Sequence, residues 1–251
     1  MLLHRFLDHA QIITAMAIVL AVSWSFVAWM TLDMSHPFVR QMMPNDASWS
    51  LVTVGAVFMM WAGMMAAMML PSAAPMILAF DAFERGRADS DIDEQRTLHF
   101  AGAYITAWFA FAVLASGLQW GLQASDLLTP RIASNSRWLT AGLILLAGLY
   151  QLTPLKNACL QHCRAPIGFI LAEWREGIGG AWSMGLRHGV YCVGCCWALM
   201  LLLFIAGAMN PVWIVILSIL VALEKWPRLP GWIHHIFAWT LIVASIVTLI
   251  R

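Results

Sequence analysis

The run Arg187-His188-Gly189-Val190-Tyr191-Cys192-Val193-Gly194-Cys195-Cys196-Trp197 puts an imidazole and three thiols at the mouth of an apolar stretch. On a helix, His188, Cys192, Cys195 and Cys196 share one face, because residues three and four apart are stacked. Such a face suits a soft metal ion, which prefers thiolate and imidazole, or the exchange of electrons through thiols. Gly185, Gly189 and Gly194 lie close by, and small residues at that spacing let a second helix pack tightly. The plainer reading treats the cysteines as small hydrophobes of a buried helix. It accounts well for one cysteine and poorly for three beside a histidine.

Two further runs carry soft ligands. In Met59-Met60-Trp61-Ala62-Gly63-Met64-Met65-Ala66-Ala67-Met68-Met69-Leu70-Pro71, Met60, Met64 and Met68 form one helical stripe, and Met65 and Met69 begin another that continues toward Met76. Thioether sulfur is uncharged, so it binds Cu(I) in apolar surroundings without burying an anion; flexible core filling is the competing explanation. The other run, from Tyr150 to Arg164, holds Cys159 and Cys163 one helical turn apart, with His162 between them and Lys156 and Arg164 flanking. Nearby cations favour the thiolate that binds metal. The same cations would serve lipid phosphates in an interfacial loop, but that role leaves the cysteine pair unexplained. His99, Glu224-Lys225 and His234-His235 sit at helix ends, where an interfacial residue or a helix-end ion pair is the simpler expectation.

The cysteine spacing departs from the paired C-x2-C framework of structural zinc sites. Sulfur donors in apolar surroundings point to Cu(I) first, with zinc or iron as alternatives. The candidate metal ligands are Cys159, Cys163, His188, Cys192, Cys195 and Cys196, with Met64, Met65, Met68 and Met69 as a weaker, exchanging path.

These residues belong to a chain of 251 residues that is 61% hydrophobic and 11% charged, with a mean hydropathy of +0.77. A soluble surface needs more charge than that, so the chain reads as a single integral membrane domain over 1–251. A net charge of +1, without a basic stripe or acidic tail, excludes nucleic acid as a partner. Apolar runs at 11–32, 51–70, 98–118, 138–153, 184–208, 211–223 and 232–250 predict an all-α polytopic transmembrane bundle of seven spans, or six if one of the two short runs only dips into the bilayer. The first run lacks a cleavage pattern and reads as a retained helix. The segment at about 154–180 is expected to be an interfacial, partly helical excursion carrying Cys159 and Cys163. The connection at 81–96, with Asp81, Glu84, Asp89, Asp91, Asp93 and Glu94 among Arg85, Arg87 and Arg96, reads as a solvated helix end and turn.

Ten of the 14 Lys and Arg residues fall on the inner connections if the N-terminus is cytoplasmic, counting Arg5, Arg228 and Lys225 and leaving Arg40, Arg131, Arg137 and Arg251 outside. On that orientation the exit of the methionine run, the Cys159–Cys163 loop and the start of the fifth helix all reach the cytoplasmic face.

At these residues the chain resembles a bacterial family of predicted metal-binding integral membrane proteins classed as a domain of unknown function. The matching elements are Met64-Met65-Ala66-Ala67-Met68-Met69-Leu70-Pro71, Thr153-Pro154-Leu155-Lys156 with Cys159 and Cys163, and the stretch from Gly185 to Trp197. The resemblance implies a metal ligand set and a multi-pass protein of the bacterial inner membrane, and names neither a metal nor a reaction.

The leading expectation is a Cu(I)-handling protein, a chaperone or assembly factor rather than an enzyme, whose partners are the lipid bilayer, the metal ion and a metalloprotein or membrane complex. No Gly-rich phosphate loop is present, which argues against ATP-driven pumping. A membrane oxidoreductase is the first rival, either passing electrons from Cys192-Val193-Gly194-Cys195 to a quinone or using a metal for oxygen chemistry. A structural subunit of a larger complex is the second, favoured by 14 tryptophans and many small residues.

Overall fold

The computed structural model describes residues 2–86, 93–226 and 230–250. Arg87, Asp89, Asp91, Arg228 and Arg251, which entered the charge pattern, lie outside the described residues, as do the side chains of Arg5, Asp93 and Glu94. In chain order the helices are α1 (Leu2–Leu32), α2 (Pro37–Met42), α3 (Leu51–Arg85), α4 (Asp93–Ala124), α5 (Arg137–Gln151), α6 (Pro154–Arg164), α7 (Pro166–Glu173), α8 (Gly177–Met200), α9 (Leu203–Ala206), α10 (Pro211–Glu224) and α11 (Gly231–Ile250). Strand pairing among the described residues is limited to an isolated bridge between Leu128 and Ser134. The all-α expectation holds.

Among the described residues five helices are long and apolar enough to cross a membrane: Ala10–Leu32, Leu51–Arg85, Gln95–Ala124, Gly177–Ala206 and Trp232–Ile250. The bent pair α5 and α6, meeting at 66°, makes a sixth candidate, while α10 is shorter than a crossing needs. The bend falls where Pro154 was expected to end or kink the fourth helix. Thr153 caps α6 by accepting from the Lys156 backbone N–H at 3.2 Å, with Pro154 at the first helical position.

The second span was expected to stop near Leu70, yet α3 runs through Pro71 and Pro75 to Arg85. Each proline removes one backbone donor, which takes the helical partner from the Ala67 and Pro71 carbonyls, and other carbonyls of this turn accept from side chains. Ser72 and Tyr104 donate to the Met69 carbonyl at 2.9 and 3.2 Å, and Ser218 donates to that of Met68 at 3.4 Å. The far end of α3 also departs from the solvated turn expected at 81–96. Asp81 and Glu84 are buried, because Arg85 pairs with Asp81 at 2.9 Å and Arg96 with Glu84 at 2.8 Å. A buried carboxylate with a bidentate or charged partner keeps its charge out of water at tolerable cost.

The expected close packing at the α8 glycines is present. A Cβ at Gly185 would collide with the Phe100 backbone carbonyl, and one at Gly189 would stand 2.6 Å from Ala107 Cβ and 3.0 Å from the Tyr104 carbonyl. Backbone contact between α4 and α8 therefore fixes where Tyr104 meets the thiols. Gly185→Ala should lower stability in detergent by about 1–3 kcal/mol through overpacking. Gly142→Ala, where an added Cβ meets nothing within 4 Å, should be neutral or stabilising by up to about 1 kcal/mol. Thermal or denaturant unfolding of the two variants side by side checks the contrast.

Candidate metal centre

The three sulfur-bearing runs meet around the buried face of α8. Cys163 Sγ on α6 lies 4.0 Å from Cys195 Sγ, and Cys196 Sγ lies 4.0 Å from Met69 Sδ on α3. Cys195 and Cys196 donate their thiol protons back to the Cys192 carbonyl at 3.1 and 3.0 Å, which fixes their rotamers on the helix. Cys192 is held from other elements. Lys225, the residue closing α10, donates from Nζ to Cys192 Sγ at 2.9 Å and to Ser72 Oγ at 2.7 Å. The Tyr104 hydroxyl is 3.1 Å from the same sulfur. Cys192, Cys195 and Cys196 are all buried. The cluster is thus a set of sulfur pairs bridging helices α3, α6 and α8, with an ammonium against its central sulfur.

The remaining candidate ligands divide. Cys159 is half-buried at the edge of the cluster, packed over Gly194, where a Cβ would stand 2.7 Å from its sulfur. His188 is buried one turn before Cys192, its ring stacked on Tyr104 at 5.5 Å and Phe100 at 6.1 Å. Its Nδ1 has no hydrogen-bond partner among the described residues. Met64, Met65 and Met68 are fully buried in α3, and the thioether contact to a thiol is made by Met69. His162 turns away to stack on Tyr191 at 4.1 Å, and His99 bonds to its own Gln95 carbonyl at 2.6 Å. Among the described residues no three His, Cys, Asp or Glu side chains stand together in an arrangement that could hold a metal ion.

Two expectations about charge are corrected. Lys156 was expected to flank the thiols, and Glu224 and Lys225 to pair at a helix end. Instead Lys156 is buried, pairs with Glu224 at 2.6 Å and also bonds to Gln151 Oε1. Gln151 in turn donates to Glu224 at 2.8 Å. Arg164 binds the Glu224 carbonyl at 2.6 and 2.9 Å and reaches His234 Nε2 at 2.6 Å. The reason is geometric: consecutive residues on a helix point about 100° apart, so Glu224 faces α5 and α6 while Lys225 faces α3 and α8. Lys225, Tyr104 and Ser72 are the neighbours of the thiols that sequence reasoning missed. One signal was available, since Lys156 and Lys225 are the only lysines in the chain and each adjoins a sulfur motif or an apolar helix.

A family model, PpoB2, described as "Copper chaperone", matches residues 58–248. Among curated proteins and solved structures, none matches the chain. The matched range contains every sulfur of the cluster and the Lys156–Glu224 pair. Removing one partner of a buried ion pair leaves an uncompensated charge, so Lys156→Met should cost about 3–5 kcal/mol. The double change Lys156→Met with Glu224→Leu should recover part of that loss. Denaturant unfolding of the single and double variants measures both, and equal losses in the two would contradict the pairing.

Proposed function

Because the chain belongs to the copper chaperone family, we propose that it accepts Cu(I) at the α3–α6–α8 sulfur cluster and passes it to a metalloprotein or membrane complex. The observation that carries this reading is the pair of 4.0 Å sulfur separations, Cys163 to Cys195 and Cys196 to Met69, each spanning two helices. With a metal–sulfur bond of about 2.3 Å, as in zinc thiolates, two sulfurs at that separation subtend about 120° at the ion. That angle suits a three-coordinate soft ion with thiolate and thioether donors, the donor set that selects Cu(I).

In this reading Cys163, Cys192, Cys195, Cys196 and Met69 form the acceptor. Cys159 at its rim is the sulfur an arriving or departing ion meets first, and His188, with its unpartnered ring nitrogen, is the auxiliary donor. The buried thioethers of Met64, Met65 and Met68 extend the soft surface along α3. On this reading the protein acts in the bacterial inner membrane with the cluster at the cytoplasmic side, where thiols stay reduced and ready for metal; the excess of Lys and Arg expected on the inner connections supports that orientation.

Protein purified anaerobically should carry near-stoichiometric copper by elemental analysis, and a variant with all five cysteines changed to Ser should carry none. Met69→Leu should hold copper about tenfold less tightly against a competing chelator, equivalent to about 1.4 kcal/mol. Met59→Leu, at an exposed position of the same helix, should not change it. Absence of copper from the intact protein even after Cu(I) is supplied, or equal copper in the five-serine variant, would overturn the reading.

A further inference from the structure

Lys225 occupies an unusual position for a cation next to a cation-binding cluster. It is buried, and its Nζ stands 2.9 Å from Cys192 Sγ and 2.7 Å from Ser72 Oγ. Among the described residues no carboxylate forms an ion pair with it. Glu224, its neighbour in sequence, is held by Lys156, Gln151 and Arg164 on the other side. The other groups facing the ammonium are neutral: the Ser72 hydroxyl and, across Cys192, the Tyr104 hydroxyl. A charge enclosed in an apolar bundle requires compensation, and here the group that supplies it is a sulfur of the cluster.

We propose that Lys225 sets the charge of the cargo, so that the site favours a monovalent soft ion over divalent thiophilic ions. The inference rests on the copper reading and deepens it. Two thiolates, Cys192 and one of its neighbours, carry two negative charges. A monovalent ion and the Lys225 ammonium balance them, leaving the buried assembly neutral, with Met69 adding a donor and no charge. A divalent ion between the same thiolates, beside the same ammonium, leaves one net positive charge in low-dielectric surroundings. The thiol proton released on binding enters both cases alike and does not discriminate between them. Lys225 touches a ligand rather than completing the ligand set, so its role is one of specificity.

The charge argument makes opposite predictions for the two ion classes. Removing the ammonium leaves the monovalent complex with an unbalanced negative charge and makes the divalent complex neutral. Apo protein in detergent, titrated anaerobically with Ag(I) and separately with Cd(II) against a chelator, reports both affinities through thiolate-to-metal charge-transfer absorbance. Lys225→Met should lower the Ag(I)-to-Cd(II) affinity ratio by about 10-fold to 100-fold, as expected for one unit charge at contact range in a protein interior. Lys225→Gln removes the charge but keeps a donor for Cys192 and Ser72, so it should match Lys225→Met, whereas Lys225→Arg should stay near the unmodified ratio. A ratio unchanged in Lys225→Gln while both ions still bind stoichiometrically would overturn the inference and leave the copper reading standing. Failure of the unmodified protein to bind either ion would remove both.

Discussion

A charge taken from water into an apolar bundle costs several kcal/mol unless a partner stands within reach, and the end of α10 meets that condition in two directions at once. The Glu224 carboxylate turns to Lys156 and Gln151, with the Arg164 guanidinium on its backbone carbonyl, while Lys225 turns to Cys192 and Ser72. Two adjacent residues thereby tie α10 to four other helices. Neither could be moved without stranding a charge on the opposite side. The sulfur cluster lies on one of these two networks, so the position of Cys192 is set by the same requirement that holds the bundle together.

The other determinants of the site are steric. Tyr104 reaches Cys192 because α4 and α8 touch through Gly185 and Gly189, where any side chain would meet backbone or Ala107. Met69 reaches Cys196 on a helix that carries Pro71 and Pro75 and whose Met68 and Met69 carbonyls also accept from Ser72, Tyr104 and Ser218. The same side chains recur in both lists. Tyr104 links Cys192 to the Met69 carbonyl, and Ser72 links Lys225 to that carbonyl, so the side-chain bonds to the α3 backbone before Pro71 and the setting of the thiols are one arrangement. At the other end of α3, Arg96 bonds to both Glu84 and the Arg175 carbonyl and covers the Trp174 ring at 5.0 Å, which anchors the approach to α8.

Much of this was legible in the sequence because it follows from local periodicity. The shared face of Cys192, Cys195 and Cys196, the break at Pro154 and the tight packing at the α8 glycines came from spacing and composition, and the convergence of three sulfur runs from the order of the expected spans. What escaped was set by direction in space. The pattern could not say that Asp81 and Glu84 turn inward to Arg85 and Arg96, because the same charges on a solvated turn look identical in one dimension. Nor could it separate Glu224 from Lys225, since a sequence places neighbours together while a helix sends them to different partners. His162 illustrates the converse: it sits between two cysteines in sequence and stacks on Tyr191 instead. Of the four methionines put forward, register along α3 decided that Met69 meets a thiol.

A protein that hands on its ion must hold it without enclosing it. Four-coordinate closure by thiolates gives a structural site, stable because no position is left for an incoming donor. In this chain the thiols of Cys195 and Cys196 are engaged by the Cys192 carbonyl, and their sulfurs approach one partner each from a different helix. On the proposed reading, an ion at such a place has thiolate bonds strong enough to retain it and a neutral thioether bond weak enough to exchange. Cys159 stands half-buried beside Gly194, outside both pairs. On that reading transfer would proceed by substitution, one sulfur at a time, with a recipient's thiolate replacing the weakest donor before the stronger ones let go. On the same reading, the sulfurs beyond those of one pair would serve stepwise release.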